Sequence, residues 1–125
     1  EAARLMLALK VVLSQVDPVP TLIFDEVDQG IGGETGAQVG SALAEVAERH
    51  QVLVITHLPQ IAARADGHLV VSKEARGGIA TSDVQVLHGE DRINEIARML
   101  GDPEGDAARR HAQALLGAPA TAKRR

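Results

Sequence analysis

The sequence contains no cysteine, tryptophan or tyrosine, and Phe24 is its only aromatic residue. Without cysteine, disulfides, thiolate catalysis and zinc sites of the Cys type are excluded, which fits a reducing compartment. Without aromatic faces there is no platform on which the bases of a single strand could stack, and the core must be built from Ala, Val, Leu and Ile. Positive charge is also in short supply. Thirteen basic residues stand against 17 acidic ones, for a formal net charge of −4. Phosphate backbones are not attracted to such a surface on average, so any DNA contact needs a local patch. Long apolar runs are missing too: Leu5–Leu9 is stopped by Lys10, far short of the ~18 residues of a membrane span. No secretory signal pattern is visible. The first residue is Glu1, not Met, and the chain opens inside what reads as a helix already under way. The expectation is therefore a piece of a longer protein.

What is present is enough for one core. Hydrophobic residues make up 45% of 125 positions, which excludes a disordered chain. Residues 1–15 read as a helix, with Leu5, Leu9, Val12 and Val16 at helical spacing and Met6 and Leu13 widening the apolar face. Pro18 and Pro20 end it. Thr21–Phe24 is a short continuous apolar run, the pattern of a strand buried on both faces. An acidic, glycine-rich loop follows over 25–33. A helix over 35–49 is expected to bury Val39, Leu43 and Val46, and Gln51–Thr56 is a second strand. The order of strand, helix and strand predicts a βαβ unit with parallel pairing. Beyond it, the pattern predicts a short helix near Pro59, and a β-hairpin of 67–73 and 80–87 around a loop over 74–78. Terminal helices are expected over 92–100 and 106–116. The end, 118–125, reads as a frayed basic tail.

The strongest chemical signal is Asp25-Glu26 at the end of the first strand. Parallel α/β sheets bind ligands beyond the carboxyl ends of their strands. Adjacent acids leaving a strand point in different directions and can divide two tasks. One can hold Mg²⁺ through water, since that cation prefers oxygen ligands; the other can orient the water that attacks a γ-phosphate. The plainer alternative is that Asp25 caps a turn and Glu26 is a solvated loop acid. The glycines at 30, 32 and 33 permit φ > 0 and close backbone approach, although an ordinary flexible turn would read the same way. A parallel neighbour ending in Ile55-Thr56-His57 brings His57 to the same edge. There its imidazole can hydrogen-bond a γ-phosphate or the attacking water, or serve only as a loop histidine bonded to backbone.

The run Leu22-Ile23-Phe24-Asp25-Glu26-Val27-Asp28 resembles the Walker B and D-loop segments of ABC-type ATPases, and Thr56-His57 resembles their switch histidine. Three further stretches narrow this to the SMC-like ATPase heads of bacterial double-strand-break repair: Val54 to Gln60 (Val-Ile-Thr-His-Leu-Pro-Gln), Val71 to Glu74 (Val-Ser-Lys-Glu), and Ile96 to Gly101 (Ile-Ala-Arg-Met-Leu-Gly). The resemblance runs from Glu1 to about Leu116.

It implies an α/β fold, the C-terminal lobe of a P-loop NTPase head of the ABC type, with a mainly parallel sheet, flanking helices and a β-hairpin. Residues 1–117 would be that lobe and 118–125 a tail. The resemblance also implies ATP and Mg²⁺ as cofactors. Asp25 would support the metal, Glu26 would be the catalytic carboxylate, and His57 would sense the γ-phosphate. Asp28 and Gly30 would lie at the nucleotide-bearing interface of an ATP-sandwiched head dimer. The implied partners are the N-terminal lobe of the same head, a second head, and DNA through the full-length protein, in the bacterial cytoplasm and with no membrane.

No Walker A run occurs in these residues, and the family's signature motif would lie just before Glu1. The chain alone is therefore expected not to hydrolyse ATP. Two other readings stay open: a head of another SMC or Rad50 type, and a non-catalytic module docking DNA or a partner through Arg109-Arg110 and Lys123-Arg124-Arg125.

Overall fold

The computed structural model describes residues 2–13, 16 and 18–117; the basic tail expected over 118–125 lies outside the described residues. Helix α1 spans Ala2–Leu13 and leads to strand β1, Thr21–Asp25. Helix α2, Gly33–Val46, returns the chain to strand β2, Gln51–Ile55. The two strands pair in parallel, with Thr21 opposite Gln51 and Asp25 opposite Ile55. The βαβ unit expected from the pattern is formed. It is pinned at its start by the Gln51 amide donating to the Pro20 carbonyl at 2.8 Å, and by His50 Nδ1–H donating to the Val19 carbonyl at 2.6 Å.

The core of this unit gathers Leu7, Leu22, Phe24, Val27, Val39, Leu43, Val46 and Ile61. The three α2 positions expected to face inward are all in it. Burying each such side chain is worth about 1.5–3 kcal/mol, so this small cluster carries much of the stability of the unit.

Two expectations fail, for one reason. β1 buries Leu22 and Phe24, but Ile23 is 68% exposed, and in β2 Ile55 is 58% exposed. The sheet is thus covered on one face only. Likewise α1 packs on α2 through Leu7 and Val11, while Leu5, Leu9, Val12 and Val16 face away. α1 is apolar nearly all round, so periodicity cannot say which stripe meets this core. Among the described residues no further layer covers the outer surfaces.

After the short helix α3, Pro59–Ala62, strands β3, His68–Arg76, and β4, Ile79–Leu87, form an antiparallel hairpin. Its connection is tighter than the five-residue loop expected. Gly77 and Gly78 alone make the turn, at φ 59° and 79°. Positive φ at both central positions matches the twist of a two-residue hairpin, so pairing continues out to Arg76 and Ile79.

Helices α4, Gly89–Met99, and α5, Asp106–Gly117, pack against each other around Ile96, Ala97 and Ala112. Glu90 and Asp91 in the first turn of α4 and Arg98 in its last complement the helix dipole. Arg92 ties this pair back to the end of α3, donating to the carbonyls of Ala62, its last residue, and of Ala65 beyond it, at 3.2 and 2.6 Å.

Candidate functional site

The parallel register decides what shares the carboxyl edge of the sheet. Asp25 lies opposite Ile55, so the chain leaves β1 through Glu26 and leaves β2 through Thr56 and His57 at the same end. Asp25 and Glu26 are both exposed there. The expectation that the second strand brings its histidine to the acidic edge is met.

Glu26 has a feature that composition does not announce. It sits at φ 56°, the one positive-φ residue other than glycine among the described residues. A long side chain in that region costs on the order of 1–2 kcal/mol, and such backbone is concentrated at functional sites. The turn is closed by the Gln29 amide donating to the Glu26 carbonyl at 3.2 Å. Further along, Gly30 has φ 73°, the freedom expected of it. Gly33 lies beside Gln60: a Cβ there would stand 3.0 Å from the side-chain nitrogen Nε2 of Gln60.

The Asp28 side chain turns into the protein. It is only 2% exposed, and its Oδ2 points inward to the loop after β2. That oxygen accepts from the Thr56 hydroxyl and from the His57 backbone amide at 2.8 Å, and it lies 3.1 Å from His57 Nδ1. Thr56 in turn accepts from the Leu58 amide at 3.0 Å. Burial acts to raise the Asp28 carboxyl pKa. The Thr56 hydroxyl, the backbone amides and the His57 charge outweigh it and hold the group below its ordinary 3.8. An ionised carboxylate therefore bridges the two loops.

For a divalent metal, the described residues hold no group of three or more ligating side chains. The donors present at the edge are the exposed carboxylates of Asp25 and Glu26. That fits Mg²⁺, which keeps several waters and is bound by one or two carboxylates together with substrate phosphates.

The arginines considered for DNA contact are not equivalent. Arg109 is engaged by Glu90 and by the Asn94 side-chain oxygen at 2.5 Å, linking α5 to α4, whereas Arg110 is exposed. The tail arginines lie outside the described residues. Arg92, which holds α4 to the end of α3, went unremarked in the sequence because its partners are backbone carbonyls, which have no sequence signature.

No family model matches the chain. Among solved structures it is similar to one described as "Structural biochemistry of ATP-driven dimerization and DNA stimulated activation of SMC ATPases", with a TM-score of 0.59 and 23% identity over 80% of this chain and 60% of that one. The chain accordingly shares the α/β fold of that structure.

In sequence, the chain matches the DNA repair protein RecN. It is 50% identical to that of Streptomyces coelicolor over 117 residues, 93% of this chain and 20% of the relative. Against Treponema pallidum RecN the identity is 50% over 125 residues, and against Deinococcus radiodurans RecN 47% over 116. The double-strand-break repair resemblance carried by the motifs is thus a resemblance to RecN over nearly all of the chain, which spans about a fifth of the length of these curated relatives. No helix among the described residues is long and apolar enough to cross a membrane.

Proposed function

We propose that this chain is the C-terminal lobe of the ATP-binding and ATP-hydrolysing head of a RecN-type protein, acting in DNA double-strand-break repair and recombination in the bacterial cytoplasm. The observation that carries this reading is the parallel register of β1 with β2, which ends Asp25-Glu26 and Thr56-His57 at one edge. In the proposal Asp25 helps hold Mg²⁺ through water, Glu26 orients and activates the attacking water, and His57 senses the γ-phosphate. Mg²⁺, when bound, neutralises charge on the β- and γ-phosphate oxygens. The loop carrying Asp28 and Gly30 meets the second head of an ATP-sandwiched dimer, and DNA is engaged by the full-length protein.

The phosphate cradle comes from an N-terminal lobe, because backbone amides and a lysine of a Walker A loop supply most of the phosphate ligation in such enzymes. The uncovered apolar face of β1 and β2 and the outward stripe of α1 support this division, since each has the character of a surface made to be covered. Exposed acids at a strand end, one of them held in a left-handed conformation, also suit a reactive site better than a solvated turn.

The test is made in the full-length protein. Glu26→Gln should leave ATP binding intact, lower kcat by roughly 10²–10⁴-fold and trap the head dimer. His57→Ala should lower kcat in the same assay. The 125-residue chain alone should show neither tight ATP binding nor turnover. Near-normal kcat in Glu26→Gln would assign the water-activating role elsewhere.

A further inference from the structure

We infer that Asp28 is a positioning residue for His57, holding the proton on the imidazole Nδ1 so that Nε2 is presented at the catalytic edge as a hydrogen-bond acceptor. The inference rests on the reading of His57 as a site residue. The Asp28 Oδ2 lies 3.1 Å from His57 Nδ1 and also receives the His57 backbone amide at 2.8 Å. An ionised carboxylate can only accept hydrogen bonds, so the ring nitrogen facing it must carry the hydrogen. In the neutral ring the other nitrogen then has a free lone pair, because the hydrogen bond made by one nitrogen sets the state of the other. The His57 side chain is 74% exposed and that of Asp28 3%. The ring thus meets the buried carboxylate at Nδ1 while most of the side chain is open to solvent.

The chemistry available to His57 follows. With Nδ1 occupied, the neutral ring cannot donate to a γ-phosphate oxygen through Nε2. It can accept from the attacking water, and only the imidazolium can donate to phosphate. The same carboxylate lies in the turn that begins at Glu26, closed by Gln29 onto the Glu26 carbonyl. One buried group thus holds the loop carrying the candidate base and the loop carrying the candidate sensor in a fixed relation. An aspartate that orients a histidine without touching the reacting atoms is a known device of triad enzymes.

The experiment uses the full-length protein labelled with ¹⁵N-histidine, with His57→Gln assigning the His57 signals in nitrogen NMR. The expected result is a proton on Nδ1 in the wild type and a mixture of tautomers in Asp28→Ala. That variant should also lose on the order of 10–100-fold in kcat, the usual effect of removing a partner that orients a functional histidine, with KM for ATP within about twofold. The double variant Asp28→Ala/His57→Ala should be no slower than His57→Ala alone, because residues acting as a unit are non-additive.

Thr56→Val separates positioning from simple loss of structure: it should lower thermal stability while keeping the Nδ1–H tautomer. Should Asp28→Ala fail to fold, Asp28→Asn keeps an oxygen for Thr56 and the amide while removing the charge, and should shift the tautomer part of the way. An unchanged Nδ1–H tautomer in the Asp28 variants, or losses in kcat that multiply, overturns the inference. A tautomer shift with no effect of His57→Ala on kcat instead leaves the positioning intact and removes the catalytic reading of His57.

Discussion

The hydroxyl of Thr56 donates to the carboxylate of Asp28 across 28 positions of sequence, joining the loop after β2 to the loop after β1. A hydrogen bond to a charged acceptor is worth about 1.5–3 kcal/mol. Thr56→Val keeps the shape and removes the donor, so it should lower the unfolding free energy by about that amount in urea titrations. A change under about 0.5 kcal/mol, the level of an ordinary surface substitution, would mean that the two His57 contacts alone satisfy Asp28.

The depressed pKa of Asp28 has a pH signature. Because the folded-state value lies below 3.8, the unfolded chain takes up the proton first as pH falls. The stabilisation is complete above the unfolded value and is lost as pH drops through the folded one. Asp28→Asn should therefore flatten the stability profile below about pH 4, measured as urea midpoints against pH.

His68 predicts a second slope at higher pH. Burial first, and then the positive charge of Arg92, push its imidazole below the ordinary 6.5, with Glu95 opposing. Its Nδ1 is buried with no hydrogen-bond partner. Here too the unfolded chain binds the proton first, so stability is fully present above 6.5 and declines as pH falls towards the folded value. His68→Gln should remove that decline between about pH 7 and 5, and a profile unchanged by the substitution would refute it.

Glu26 is held at φ 56°. Glu26→Gly relieves left-handed strain of about 1–2 kcal/mol while adding unfolded-state entropy of about 0.4–1 kcal/mol. It should be neutral to stabilising in thermal melts, and more stable than Glu26→Ala, even though both abolish the proposed hydrolysis. Glu26→Ala melting above Glu26→Gly would show that the turn is not strained.

Gly40 lies where α2 crosses the chain at α3. A Cβ there would stand 3.1 Å from the Gln60 carbonyl oxygen and 3.4 Å from the Ile61 Cα, and backbone atoms cannot move aside as a side-chain end can. Gly40→Ala should therefore destabilise by roughly 1–3 kcal/mol, although alanine is favoured in helices by about 1 kcal/mol. Gly36→Ala meets the end of Leu58 at 3.1 Å, which can rotate away, and should be close to neutral. Equal melting temperatures for the two variants would sink the distinction.

Much of this was legible in the residues themselves. Val39, Leu43 and Val46 recur at helical spacing and all three are buried. The apolar runs at Leu22 and Val52 are strands, and proline and glycine mark the breaks between elements. What misled was apolar character without direction. Ile23 and Leu9 read as core, yet both are exposed. A run that is apolar on every side does not say which side its own chain will cover. The five-residue hairpin loop was over-long because a polar tip looks like a loop, whereas two glycines at positive φ let the strands pair to the end.

By itself, the sequence determined the parallel βαβ unit and the meeting of Asp25, Glu26 and His57 at one edge. Period and order are local properties, and parallel strands end on the same side. Only the tertiary structure decided that Asp28 turns inward to Thr56 and His57, that Glu26 takes a left-handed backbone, and that Arg92 closes the end of α3. These depend on where distant backbone groups come to rest, and no spacing along the chain encodes the direction of a buried carboxylate.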